Sequence, residues 1–212
     1  MAGKRIILIG GGGHCKSVID IIEAGGVYEV AGILDVPENK GKTLLGYPVT
    51  GTDEDIESLA AAGHTFIITL GQIRSSVLRT KIYERLKACG ATLATLAAPT
   101  AYVSKHATVG AGTVIMHHAT VNAGAVIGLN NIINTGANIE HDAHTGSHCH
   151  IATHAVLNGD CHLGEGVFIG SNSVLAQGVH VPDQVVVGAG AVVYKNIQEQ
   201  GTYAGNPAKK IA

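Results

Sequence analysis

From Val103 to Val187 an aliphatic residue returns at every sixth position, and of the fifteen positions in that register only Thr145 departs. Four residues after each one the side chain is mostly small or β-branched, as at Ala107, Thr113, Ala119, Ala125, Ala137, Ala155 and Val167. A register held this long without a slip defines a repeat architecture and outranks any local reading of helix or strand. Six residues make one short strand and one corner. Such a unit cannot bury its apolar side alone, whereas stacked units share one continuous core. The expected fold for this half is a parallel β-helix, with the aliphatic and small positions pointing inward.

Residues 1–98 carry no such period. Arg5–Ile9 is an apolar run of strand length that leads into four glycines, and Lys16–Ala24 has the apolar spacing of a helix that stops at Gly25 and Gly26. Tyr28–Leu34 reads as a second strand, Asp53–Ala62 as a helix, Thr65–Leu70 as a strand, Ile73–Cys89 as a helix and Thr92–Leu96 as a strand. This alternation predicts a small Rossmann-like parallel α/β unit. The expected organisation is therefore an α/β domain over 1–98 and an all-β β-helix over 99–212, with Pro99 at the passage.

The net charge is −2 with no basic stripe, which argues against nucleic acid, and no apolar run is long enough to span a membrane. Ile6–Ile9 is too short for the core of a signal peptide, so the expectation is a cytoplasmic protein. Four cysteines without a framework spacing fit a reducing compartment, and Cys149 and Cys161 fall in the small inward slot.

The glycine run Gly10–Gly13 follows a strand and opens a helix, where bare backbone and unpaired N–H groups suit a phosphate. Asp35, at the end of the next strand, is placed for a ribose or base. Gly10 and Gly12 fit the dinucleotide fingerprint, but Cys15 stands where its third glycine belongs. A nucleotide-phosphate loop and a tight turn without ligand both remain open on the residues alone. Among twelve histidines, His141 is singled out by Asp142 beside it. Imidazole accepts a proton near neutral pH, and an adjacent carboxylate orients the ring and stabilises its charged form. Strand neighbours point to opposite faces, so the pair works together only at a corner; otherwise His141 is an exposed histidine without a role.

Gly10–His14, the run Ile133-Asn134-Thr135 with Ile139-Glu140-His141-Asp142, His150, Gly159, and the tail Gly205–Lys209 together resemble the hexapeptide-repeat sugar acyltransferases. This is the sugar O-acyltransferase or sialic acid O-acetyltransferase family, which includes N-acetyltransferases of nucleotide-linked 4-amino sugars. The resemblance covers the whole chain. It implies a left-handed β-helix with eighteen residues per coil, a homotrimer with active sites at subunit interfaces, acetyl-CoA as co-substrate and no metal. It implies His141 as base, Asp142 as its partner and Gly159 as the amide facing the thioester. Gly10, Gly12, Gly13, His14, Asp35 and Asn134 would bind the nucleotide sugar; His150, Gly159, Gly188, Pro207 and Lys209 would bind the cofactor.

An eighteen-residue coil stacks His141 on Gly159, leaving an open shelf beside the ring, and aligns His144, His162 and His180 in one outward column. That column is expected to be surface or interface packing; a metal would need a spacing and carboxylates it lacks. The resemblance implies GDP-perosamine as the preferred substrate, with a UDP-linked sugar as the other choice. O-acetylation of a sugar hydroxyl and a non-catalytic binding protein are the rival functions. The loops 36–46 and 71–75 are expected to read the base.

Overall fold

The structure is a computed structural model that describes residues 4–73 and 75–212. Its first part is a six-stranded sheet made of β1 (Lys4–Ile9), β2 (Tyr28–Leu34), β3 (Thr43–Leu44), β4 (Tyr47–Gly51), β5 (Thr65–Ile68) and β6 (Thr92–Leu93), in the order 3-4-2-1-5-6. All pairs are parallel except the β3–β4 hairpin, which the sequence reading does not contain. Helices α1 (Gly13–Gly25), α2 (Ile56–Ala61) and α3 (Val77–Ala88) pack on it. One side buries Cys15, Val18, Ile19 and Ile22 of α1 against Ile6, Leu8 and Ile33; the other buries Ile82 and Leu86 of α3 against Ile7, Ile9 and Phe66.

Three expected elements differ in extent. The helix expected over 73–89 starts at Val77, because the Ser75 hydroxyl accepts the Val77 N–H and Gln72 is held by the coil instead; Arg74 lies outside the described residues. The segment 53–62 opens as a 3₁₀ turn under a reciprocal Thr52–Asp55 cap before α2. The strand expected over 92–96 divides: Thr92–Leu93 pairs with β5, while Leu96 donates to the Thr113 carbonyl and, with Ala97, becomes the first rung of the next sheet.

From there the chain winds into a parallel β-helix with three flat faces. The first carries Leu96–Ala97, Val114–Ile115, Ile132–Ile133, His150–Ile151, Phe168–Ile169 and Val186–Val187, closed by Thr202–Ala204 and Lys209–Lys210. The second runs from Tyr102–Val103 to Val192–Val193, and the third from Thr108–Val109 to His180–Val181. Up to Val193 each strand pairs with the one eighteen residues on, as His144 does with His162 and Ile133 with Ile151, and Val186 then pairs with Thr202. Inside, Ile115, Val121, Ile127, Ile133 and their successors alternate with Ala119, Ala125, Ala137 and Cys149 in one buried core.

The break in the repeat at Thr145 has a physical reason. Its hydroxyl accepts from the Asn131 amide at 2.9 Å, and Asn131 in turn accepts from the Cys149 N–H. Two polar inward residues satisfy each other, which removes the cost of burying either alone.

The corners obey a rule of their own. Every sixth residue from Gly112 to Gly190 has positive φ, and the non-glycine occupants are His118, Asn130, Asp142, His148, His154, Asp160, Asn172 and Gln184. Asn, Asp and His tolerate that region better than bulkier side chains do. The corner column therefore accounts for part of the high histidine count.

The α/β part covers the first face. Val114 and Ile132 point outward there yet are fully buried, and Val114 shares a core with Ile19 and Ile33. Asp20 meets His117 at the edge between faces one and two. Gln72, Ser76, Arg79 and Tyr83 meet Gly166, Gln184, Asn130 and His148 at the edge between faces three and one. The remaining edge, between faces two and three, lies on the opposite side of the prism.

Candidate active site

His141 and Asp142 sit on that far edge, in the turn between Asn138–Ile139 and His144–Thr145. Asp142 takes the positive-φ corner position (φ 59°), which turns its carboxylate back toward its own neighbour. Its Oδ2 lies 2.9 Å from His141 Nδ1. The corner that the pairing requires is present. With Nδ1–H donating to the carboxylate, Nε2 is left as the acceptor of a proton. The Asp142 hydrogen bond, with further help from Glu140 and Asp160, raises the His141 pKa above its ordinary value. The ring is 59% exposed.

Gly159 lies one coil above, and the imidazole rests on it. A Cβ at residue 159 would come within 2.7 Å of His141 Cε1 and Nε2. The shelf is therefore occupied rather than open, and Gly159 is buried beneath the ring. Among the described residues none accepts its N–H. One coil below, Gly124 makes room for the Asp142 carboxylate, which a side chain there would strike. The sequence reading misses Gly124, although its position eighteen residues before Asp142 signals it.

The other candidates gather on and beside the first face. Gly10 has φ 104°, and a Cβ there would strike Leu70; a Cβ on Gly11 would strike the Asp35 carboxylate. Gly12 and Gly13 open onto free space at the start of α1, whose first turn carries no acidic side chain. An unneutralised helix N-terminus with bare backbone suits an anion. Cys15, in place of a third glycine, packs fully buried among Val18, Ile19 and Ile33. Asp35 accepts from the Val36 N–H and the Asn39 amide, next to Gly11.

His150 is 8% exposed, and its Nδ1–H donates to the Gln72 carbonyl at 2.6 Å. Its Nε2 accepts from the Asn134 amide at 3.1 Å. Burial, with Arg79 nearby, lowers its pKa to about 4, and that of His14 to about 3. Both are neutral at pH 7. Gly188 shares the column of Asn134, three coils higher, about 14 Å at ~4.8 Å per coil. Its N–H donates to Tyr203, and the tail follows alongside, with Ala208 bonded to Val192. Pro207 and Lys209 are exposed at that end.

The candidates thus fall on two edges: His141, Asp142 and Gly159 between faces two and three; Asn134, Gly188 and the tail between faces one and two, with His150 and the glycine loop beside them. In one chain the second face separates them. Hollows of 480 Å³ beside His162 and His180, and of 520 Å³ beside Lys4 and His64, have none of these candidates in their lining. The outward column exists as expected, with ring centroids 4.7 Å apart for His144–His162 and 4.6 Å for His162–His180. Among the described residues no group of three or more His, Cys, Asp or Glu is placed to hold a metal ion, and no helix is long and apolar enough to cross a membrane.

Comparison with known proteins identifies the family. The profile of the PglD N-terminal domain matches residues 5–86, and that of the hexapeptide repeat of succinyl-transferase matches 162–195. The acetyltransferase domain of PglB from Neisseria gonorrhoeae is 34% identical, with a TM-score of 0.91 over 99% of this chain and 100% of that one. PerB from Caulobacter crescentus, solved with CoA and GDP-perosamine, is 33% identical with a TM-score of 0.91, over 100% and 98%. The chain belongs to the PglD-type hexapeptide-repeat sugar acyltransferases. A curated family member, the UDP-N-acetylbacillosamine N-acetyltransferase of Bacillus subtilis, is 34% identical over 117 residues, which is 53% of this chain and 51% of that protein. One PglB structure holds acetyl coenzyme A.

Proposed function

We propose that the protein transfers an acetyl group from acetyl-CoA to the C4 amine of a nucleotide-linked 4-amino-4,6-dideoxy sugar, with GDP-perosamine preferred over a UDP-linked sugar. The observation that carries the reading is His141 held by Asp142 at 2.9 Å and seated on Gly159. It is supported by likeness over the whole chain to a protein named perosamine N-acetyltransferase, 32% identical with a TM-score of 0.92, and to the acetyltransferase domain of PglB. Four free cysteines fit action in the cytoplasm.

Residues 1–98 supply the nucleotide side. Gly12, Gly13 and the α1 N-terminus hold the phosphates, Asp35 the nucleoside, and His14, Asn134 and His150 face the sugar. His150 also borders the acyl donor, whose carrier follows Gly188 toward Pro207 and Lys209. His141 Nε2 takes the amine proton as nitrogen bonds to the thioester carbonyl carbon. The Gly159 N–H, reached when the ring tilts on its shelf, donates to the oxyanion. His141 then returns its proton to the departing thiolate, giving the amide and free CoA.

The two edges have to come from different copies. A homotrimer satisfies this if the His141 edge of each protomer meets the Asn134–Gly188 edge of the next. By symmetry the second face then lines the three-fold axis, and its outward residues Tyr102, Thr120, Asn138, Val156, Val174 and Val192 carry no charge. The test is a panel of GDP- and UDP-linked 4-amino sugars and their 4-hydroxy analogues with acetyl-CoA, read by thiol release. Release no faster than without protein for every amino sugar would sink the proposal, and preference for the hydroxyl analogues would make the protein an O-acetyltransferase.

A further inference from the structure

Arg79, on the first turn of α3, is 1% exposed, and its partners are oxygens of amides only. One arm of the guanidinium donates to the Leu70 carbonyl at 2.5 Å and the Ile68 carbonyl at 3.3 Å, just past and within β5. The other donates to the Asn130 carbonyl at 3.0 Å and to Asn130 Oδ1 at 2.7 Å, in a positive-φ corner of the coil. Burying a cation without a carboxylate is costly, and an apolar side chain like Ile82 or Leu86 on the same helix would fill the space without that cost. Stability alone does not account for an arginine here; its planar fork does, since it spans two chain segments at once.

The strapped segment leads directly into the sugar side of the site. Leu70 packs against Gly10, and two residues later the Gln72 carbonyl fixes His150 Nδ1–H, which leaves Nε2 to accept from Asn134. Asn130 passes the strap on to His148, and His148 to Tyr83 by an edge-on ring contact.

We propose that Arg79 is a positioning residue: by tying the end of β5 to the Asn130 corner with one guanidinium, it sets the Gln72 carbonyl and through it the orientation and tautomer of the His150–Asn134 pair that receives the sugar. The receiving role rests on the function proposed above; the positioning itself does not. A shift of the pair by ~1 Å would cost about 10²-fold in rate.

The test uses full-length Arg79→Met and Arg79→Lys proteins. His150 ring nitrogens are followed by ¹⁵N–¹H NMR, and KM and kcat are measured separately for the amino sugar and for acetyl-CoA. In Arg79→Met the single Nδ1–H tautomer of His150 should give way to a mixture, and kcat/KM for the amino sugar should fall about 10²-fold. Arg79→Lys keeps the charge but not the fork, so it should show the same ring change. An unchanged His150 tautomer in a folded Arg79→Met protein, an unchanged kcat/KM for the amino sugar, or full restoration by lysine would each overturn the proposal. If Arg79→Met does not fold, Asn130→Gly keeps the corner backbone and the carbonyl acceptor but drops Oδ1; a smaller ring change of the same kind is expected, and none would overturn the claim. If the unsubstituted protein acetylates no sugar in the panel, the functional reading fails, while the His150 signal still decides the role of Arg79.

Discussion

Replacing Gly159 by alanine isolates the contact on which the catalytic reading rests. Gly159 is not among the positive-φ positions, so alanine meets no backbone strain. Its Cβ would stand 2.7 Å from His141 Cε1 and Nε2, and ordinary contact begins at 3.4 Å, so the ring has to move by about 0.7 Å. That ring is the free end of an exposed side chain, so the fold should barely register the change. A Cβ whose nearest neighbours all belong to this movable ring should change stability by no more than about 0.5 kcal/mol, or ~1–2 °C in Tm for a chain of this size. The chemistry should register it strongly: a misplacement approaching ~1 Å costs up to about 10²-fold, so kcat/KM should fall about 10–100-fold. The assay is thiol release from acetyl-CoA with the best amino sugar, beside a melting curve. A cycle with His141→Ala separates causes, because alanine at 159 that acts by displacing the ring has little left to displace in that background. Full activity in Gly159→Ala, a large loss of Tm, or simple additivity with His141→Ala would refute the reasoning.

His141→Ala should reduce turnover about 10²–10⁴-fold, with acetyl-CoA binding retained by calorimetry. Because the Asp142 hydrogen bond raises the His141 pKa, the acidic limb of kcat/KM should lie above the ordinary histidine value, and Asp142→Asn should move it to lower pH; a limb that stays in place would remove Asp142 from the role. Co-expressing His141→Ala with Asn134→Ala chains should restore part of the turnover that neither has alone, and no restoration would argue against a site shared between copies. Stability should fall in acid for a definable reason: His150 titrates at about 4 when folded and near 6.5 when unfolded. Its contribution is complete above about pH 6.5 and is lost as pH falls toward 4. By pH 5 that loss is about 2 kcal/mol, with His14 acting in the same direction; Tm between pH 7 and 5 should decline less in His150→Gln.

The hexad made the coil legible because its period is set by geometry that every rung repeats, and Thr145 stood out for the same reason. The site was legible only where the same arithmetic reached it. A step of eighteen residues brings His141 onto Gly159 and aligns the third-face histidines, yet it says nothing about which way a ring lies, so the covered shelf was not foreseen. Gly124 was within reach of the arithmetic. Arg79 and Gln72 were not, because their partners, Asn130 and Gly166, are 51 and 94 residues away and no period links an α/β loop to a corner of the coil. The division at Leu96 was hidden for a related reason: an apolar pair of strand type pairs with whichever sheet has an open rung, and here the coil offers one.

Two histidines lie in the candidate site with environments that push them apart, and this separates their roles. His141 stands one residue before a positive-φ corner, so its side chain leaves the prism at an edge, in solvent, beside a carboxylate that favours the charged ring. His150 stands two residues after such a corner, on a flat covered by the α/β part, where burial favours the neutral ring and both nitrogens are already bonded. A group that binds a proton only near pH 4 cannot hold one removed from an amine at neutral pH, while one whose affinity is raised can do so and still give it up to a thiolate. The corner register therefore does more than turn the chain. By deciding which histidine falls on an edge and which on a covered flat, it leaves His141 free for the proposed proton transfer and holds His150 in fixed hydrogen bonds.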